Sequence, residues 1–207
     1  MPKKAIIYDL DNTIYPVSSI GDKLFGPLFD LIAASGQHNE SMTDIRKALM
    51  RTPFRLVAQR HNFSDELTQK GIAIQEMTDY QDKIDTFEDY PEIKNIPGER
   101  FLVTTGFETM QLSKIRQMGI GEDFKEIHVV NPTKTSKKEV FADILQRYNY
   151  KPEEVLVVGD DPESEIAAAK ALGIPTVLYD KHNEQDASTA NYKISHFSAL
   201  KDIYLNS

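Results

Sequence analysis

Apolar residues along this chain form short, continuous runs in two groups separated by a long stretch of helical spacing. Ala5-Ile6-Ile7-Tyr8 stands alone near the start. Phe101-Leu102-Val103, Ile127-His128-Val129-Val130, Val155-Leu156-Val157-Val158 and Thr176-Val177-Leu178-Tyr179 follow one another later. Because these runs do not alternate with polar residues, they predict parallel strands covered on both faces. Helical spacing lies between them. Leu112, Ile115 and Met118 share a face that stops at Gly119, a residue suited to a helix C-terminus. Val140, Phe141, Ile144, Leu145 and Tyr148 share another, and Ile166, Ala169 and Leu172 a third that ends at Gly173-Ile174-Pro175. Strand and helix in regular alternation predict an α/β fold with a Rossmann-like parallel sheet and right-handed crossovers.

The gap after the first strand reads as all helix. Leu24, Phe25, Leu28, Phe29 and Ile32 lie on one face, Met42, Ile45 and Leu49 on a second behind the capping residue Ser41, and Leu67, Ile74 and Met77 on a third. Pro53, Gly36-Gln37-His38-Asn39 and His61-Asn62-Phe63-Ser64 supply the turns. The expected organisation is a discontinuous core, residues 1–14 and 91–207, carrying a helical insertion at residues 15–90.

Composition narrows the function. A length of 207 residues with 40% apolar content suits one core domain with a smaller companion. The 24 basic residues against 32 acidic ones leave a net charge of -8, which argues against a nucleic-acid polymer or an anionic membrane as partner. A small anionic ligand stays open, since a few local donors and a metal override the global sign. The absence of cysteine excludes disulfides, thiolate catalysis and sulfur-ligated zinc. The first apolar run is broken by Asp9, and no run approaches the roughly 18 residues of a membrane span. The cytoplasm is the expected location.

Candidate chemistry follows the strands. Strand one runs into Asp9-Leu10-Asp11-Asn12-Thr13, at the strand end where open α/β sheets bind ligands. Two carboxylates placed there are costly without a cation or a shared proton. A calcium loop does not fit, because its sixth and twelfth positions need glycine and glutamate and here hold Ile14 and Ile20. Strand two ends in Thr104-Thr105-Gly106, whose hydroxyls and backbone N–H suit a phosphate, although such turns also merely cap helices. Pro132-Thr133-Lys134-Thr135-Ser136-Lys137-Lys138 follows strand three and is either a phosphate-neutralising loop or a solvated basic turn. Strand four ends in Gly159-Asp160-Asp161-Pro162-Glu163-Ser164-Glu165; helix capping accounts for Glu163 and Glu165 but poorly for Asp160.

Taken in order, Asp-x-Asp, hydroxyl, lysine and Gly-Asp-Asp, each just after its own strand, resemble the four-motif signature of the haloacid dehalogenase superfamily. Tyr192 to Leu200 looks like that superfamily's closing strand and helix, and the insertion sits where the family carries a C1-type cap. The resemblance implies a phosphatase acting through an aspartyl-phosphate, with Asp9 as nucleophile and Asp11 as general acid, then base. It implies Mg2+ held by Asp9, the Asp11 carbonyl and Asp160, with Asp161 or Glu165 beside them. Thr104, Thr105, Gly106 and Lys134 would hold the transferring phosphate. Two positions depart from the usual pattern: Lys134 lacks the following proline, leaving Lys137 as an alternative, and Glu165 stands where aspartate is common, which favours Asp161. Asp11 argues against dehalogenase chemistry; a phosphomutase shares the motifs. Thr13-Ile14-Tyr15-Pro16 with Ser18-Ser19 looks like the pyrimidine 5′-nucleotidase branch, pointing to a nucleoside monophosphate, on whose base Phe54 or Phe63 would stack if they were not core; a sugar phosphate or phosphoglycolate is the alternative. Receiver-type signalling modules use similar residues, but in another order and in a shorter chain.

Overall fold

The computed structural model describes residues 2–38, 41–131 and 133–206. Asn39 of the first helical turn and Pro132 of the third motif therefore lie outside the described residues. Six strands form one sheet: β1 (Ala5–Tyr8), β2 (Glu99–Thr105), β3 (Glu126–Val130), β4 (Val155–Gly159), β5 (Thr176–Tyr179) and β6 (Tyr192–Ile194). Their order is β3-β2-β1-β4-β5-β6, and every pairing is parallel. The chain thus builds outward from β1 on one side, then returns and builds outward on the other. That places a topological switch point at the carboxyl ends of β1 and its two neighbours.

Burial explains the continuous apolar runs. Ile6, Tyr8, Leu102, Leu156, Val158, Val177 and Tyr179 face one apolar cluster, while Ala5, Ile7, Phe101, Val103, Val155 and Val157 face the other. The first face is covered by α6 (Glu108–Met118) and α9 (Leu200–Asn206), the second by α7 (Lys137–Tyr148) and α8 (Ala167–Lys170). Over the central strands β2, β1, β4 and β5 both faces are covered, so both residue parities are mainly apolar there.

Between β1 and β2 lie α1 (Gly21–Leu24), α2 (Gly26–Ser35), α3 (Met42–Leu49), α4 (Phe54–Arg60) and α5 (Asp65–Met77). Ser41 caps α3 as expected, accepting from the Asp44 N–H, and Ser64 caps α5 in the same way. The apolar residues of this insertion join the cluster on the first face of the sheet, so its core is continuous with that of the sheet. Phe54 and Phe63 belong to that core.

Two helices bury faces other than those the spacing suggests. In α5, Met77 is 82% exposed, and the inward face is Leu67, Gly71 and Gln75. Gly71 is where the Phe54 ring and Leu28 approach too closely for any side chain. In α6, Leu112 is 41% exposed, whereas Gln111, Ser113 and Lys114 are buried beside Met110 and Ile115. Polar groups go inward there because each finds a partner. The Ser113 hydroxyl accepts from the Tyr80 N–H (2.9 Å) and donates to the Met110 carbonyl (2.7 Å); Gln111 and Lys114 reach the loop after β1.

Candidate active site

Parallel pairing of Tyr8 with both Leu102 and Val158 brings the ends of β1, β2 and β4 side by side. Asp9 continues β1, its N–H donating to the Val158 carbonyl at 2.9 Å, and its side chain is buried. The chain then turns at Asn12, whose φ of 58° is left-handed backbone that asparagine tolerates better than most residues. Asn12 also ties this loop to the insertion: its Oδ1 accepts from the Val17 N–H (3.1 Å) and its Nδ2 donates to the Met50 carbonyl (3.2 Å).

At the end of β4 the backbone passes Asp160 and enters a π-helical turn, Pro162–Ile166. Asp161 opens that turn by accepting the Glu163 N–H at 2.8 Å. The wide turn, a local widening often found at functional sites, brings Glu165 back beneath the strand end, where its Oε1 accepts from the Asp161 N–H at 2.7 Å. Gly159 leaves room for this: a Cβ at that position would overlap the Glu165 carboxyl group. Gly159→Ala should therefore displace Glu165 and lower divalent-cation affinity at least ~10-fold, the scale set by losing a well-placed group around a metal. Calorimetric titration with Mg2+ checks this, and unchanged affinity would refute it.

The third strand supplies a cation through α7, which starts at Ser136 with a capping box closed by Glu139. That cap orients the first helical residue, Lys137, into the protein. Its Nζ donates to Asp9 Oδ1 at 2.6 Å and to Glu165 Oε2 at 2.7 Å. Lys134 instead lies exposed in the preceding turn. Of the two candidate lysines, the structure brings Lys137 and not Lys134 to Asp9: the capped helix start faces the sheet, while the turn before it faces water.

Single ligand atoms of Asp9, Asp160 and Glu165 lie within 4.8 Å of one another. Burial, then the charges of Glu165 and Asp11, raise the Asp9 carboxyl to about 7 against the opposing pull of Lys137. Burial, then the charges of Glu165, Asp9 and Asp161, raise Asp160 to about 9. Fully ionised, these three carboxyl groups would outnumber the Lys137 ammonium by two charges, which is why burial and mutual repulsion favour protonation in the absence of a cation. The donors are all hard oxygens. Such a set fits a divalent cation of the magnesium type. The structure does not bring the Asp161 carboxylate into the cluster, because it is spent on capping the π-turn; Glu165 takes its place.

Asp11 points to different partners. Its Oδ1 accepts from Lys114 Nζ and from the Tyr15 hydroxyl, both at 2.6 Å, and its Oδ2 from Gln111 Nε2 at 3.0 Å. Burial would raise this carboxyl, but Lys114, Tyr15 and Gln111 together hold it below the ordinary range. Gln111 Nε2 also donates to Thr104 Oγ1 (2.5 Å) and to the Thr105 carbonyl (3.2 Å). Gln111 thereby ties the end of β2, at Thr104 and Thr105, to the loop that carries Asp11. The Gly106 N–H, expected to face a phosphate, donates instead to the Val130 carbonyl at 3.0 Å, because the β2–β3 pairing runs one residue past the strand. Gln111, Lys114 and Tyr15 had no assigned chemistry in the sequence. Two polar residues three apart on an otherwise apolar helix face were the available signal.

Known proteins carry the same arrangement of strands. The chain overlays an HAD-like family hydrolase from Streptococcus pneumoniae (TM-score 0.78, 16% identity, 98% of each chain). It also overlays a putative HAD-hydrolase from Bacillus subtilis, described as bound to magnesium (TM-score 0.67, 18% identity, 99% of each chain). In sequence it is 31% identical to a ribulose-1,5-bisphosphate 5-phosphatase of Halopiger xanaduensis, over 89% of this chain and 87% of that protein. It is 23% identical to a glyceraldehyde 3-phosphate phosphatase of Methanopyrus kandleri, over 91% and 88%. The family model for haloacid dehalogenase-like hydrolases matches residues 3–173, a span that holds all four strand-end motifs. The chain belongs to the haloacid dehalogenase-like hydrolases and is a phosphatase of that family.

Proposed function

We propose that this protein is a magnesium-dependent phosphatase that releases phosphate from a small phosphorylated sugar through an aspartyl-phosphate on Asp9. The observation that carries this reading is the cluster of Asp9, Asp160 and Glu165, with the buried Lys137 ammonium bridging Asp9 and Glu165. Of these carboxylates Asp9 is the one that directly follows β1, the central strand at the switch point. Attack by Asp9 divides a very slow hydrolysis into two transfers. Lys137 offsets the charge of Asp9 and so lets a phosphate dianion approach. Thr104, on β2, stands ready to donate to a transferring oxygen. Asp11, which its donors keep ionised in the free protein, takes up a proton as the approaching phosphate charge offsets them, gives it to the leaving oxygen and later takes one from the hydrolytic water. Mg2+, held by Asp9, Asp160 and Glu165, would supply the remaining positive charge.

The insertion at residues 15–90 acts in this reading as the cap that selects the substrate. Asn12 links the catalytic loop to the α3–α4 turn, and from that turn Arg51 extends to 4.0 Å from Asp160. The relatives named for ribulose bisphosphate and glyceraldehyde 3-phosphate favour a sugar phosphate. A nucleoside monophosphate is the weaker reading, because Phe54 and Phe63 are packed inside the insertion and are not free to stack on a base.

The test is a panel of phosphorylated sugars, phosphoglycolate and nucleoside monophosphates assayed with magnesium, then with excess chelator. Turnover should be highest on the sugars, vanish with chelator and return when magnesium is restored. Full activity under chelation would refute the metal assignment, and preference for nucleotides would refute the substrate class.

A further inference from the structure

Lys114 is 2% exposed, on a helix whose other inward residues include Met110 and Ile115. Burying an ammonium is costly. A buried ion pair is also weak grounds for stability, since apolar replacement of both partners is often neutral or favourable. Packing alone therefore does not account for a lysine here. Its partner is not a structural carboxylate but Asp11, two residues from Asp9 on the same strand end. Gln111 lies one turn earlier on the same face of α6 and reaches the other oxygen of the same carboxylate.

The two oxygens of Asp11 are held unequally. Oδ1 has two short donors, Lys114 Nζ and the Tyr15 hydroxyl, at 2.6 Å each. Among the described residues Oδ2 has only Gln111 Nε2 at 3.0 Å, and that amide nitrogen divides its two hydrogens among Asp11, Thr104 and Thr105. Oδ2 is thus the oxygen that exchanges a proton with least loss. We infer that Lys114, with Gln111 and Tyr15, is a positioning group that fixes Asp11 through Oδ1 and leaves Oδ2 to carry the proton of catalysis.

This rests on the role proposed above for Asp11. In the first step a carboxylate oxygen of Asp9 bonds to phosphorus, the ester P–O bond breaks, and the proton on Asp11 Oδ2 passes to the leaving oxygen. In the second, water bonds to phosphorus, its proton passes to Asp11 Oδ2, and the Asp9–phosphorus bond breaks. Misplacing Oδ2 harms the first step only where the leaving oxygen needs a proton.

The experiment compares kcat/KM, with magnesium present, for phenyl phosphate and for dinitrophenyl phosphate. The leaving group of the second departs as a stable anion. Lys114→Met should lower the phenyl phosphate value at least ~10-fold more than the dinitrophenyl value, a part of the ~10²–10⁴-fold that general acid catalysis supplies. Lys114→Arg should restore most of the difference. Both rates come from one preparation, so partial unfolding cancels in their ratio. Gln111→Leu, which changes no charge, should shift the ratio in the same direction and carries the test should Lys114→Met fail to fold. Equal losses on the two substrates would overturn the inference. Asp9→Asn run alongside separates the two claims: residual turnover there refutes the aspartyl-phosphate reading itself, whatever the ratios show.

Discussion

Asp9→Asn is expected to lower turnover by at least ~10⁴-fold, the scale on which loss of a covalent nucleophile acts. The amide keeps the shape of the carboxyl group, so the hydrogen bond from the Asp9 N–H to Val158 and the packing of β1 should persist. Lys137 would lose one ionic partner but keep Glu165 at 2.7 Å. Asp160 would lose one of the charges that raise its carboxyl to about 9. Removing a like charge from a buried acidic cluster offsets the lost ion pair. The variant should therefore melt within a few degrees of the parent while hydrolysing nothing at a measurable rate. A thermal melt and an assay on one preparation check both halves; near-normal turnover would refute Asp9 as nucleophile.

The second large effect distinguishes two lysines three residues apart. Lys137→Met should reduce kcat by about 10²–10³-fold, as removal of a preorganised charge at the reacting centre typically does. It also leaves Asp9 and Glu165 buried without their ammonium, a loss of about 3–5 kcal/mol for a broken buried pair. Added magnesium should recover part of that, so its stabilising shift in melting temperature should exceed the parent's. Lys134→Met, on the exposed turn, should change neither activity nor stability appreciably. Reversal of the two outcomes would return the role to Lys134.

The fold was legible in the sequence because its information is local. A strand covered on both faces must be apolar at both parities, and β1, β2, β3, β4 and β5 each show such a run. The helices α6 and α5 were found, but their inward faces were misread. Spacing of apolar residues identifies the buried side only when buried residues are apolar, and Gln111, Ser113, Lys114 and Gln75 are not. The short helix α4, seven residues between Pro53 and His61, has too few turns to show a period.

The same division holds at the site. By itself the sequence determined that acidic, hydroxyl and basic residues follow successive strands, because a strand end is located by its own apolar run. It therefore placed Asp9, Asp11, Thr104 and Asp160 correctly relative to the sheet. Only the tertiary structure decided among neighbours within a loop. Lys137 rather than Lys134 reaches Asp9 because Ser136 and Glu139 close a capping box that aims the helix start inward. Glu165 rather than Asp161 joins the acidic cluster because a π-turn and the bare Cα of Gly159 let the chain fold back beneath β4. Lys114 and Gln111 meet Asp11 across 103 and 100 residues of chain. A shift of one residue along a loop rotates a side chain by a large angle at almost no cost in local sequence preference. Which charge enters the site is consequently settled by caps, turns and steric gaps formed between distant segments.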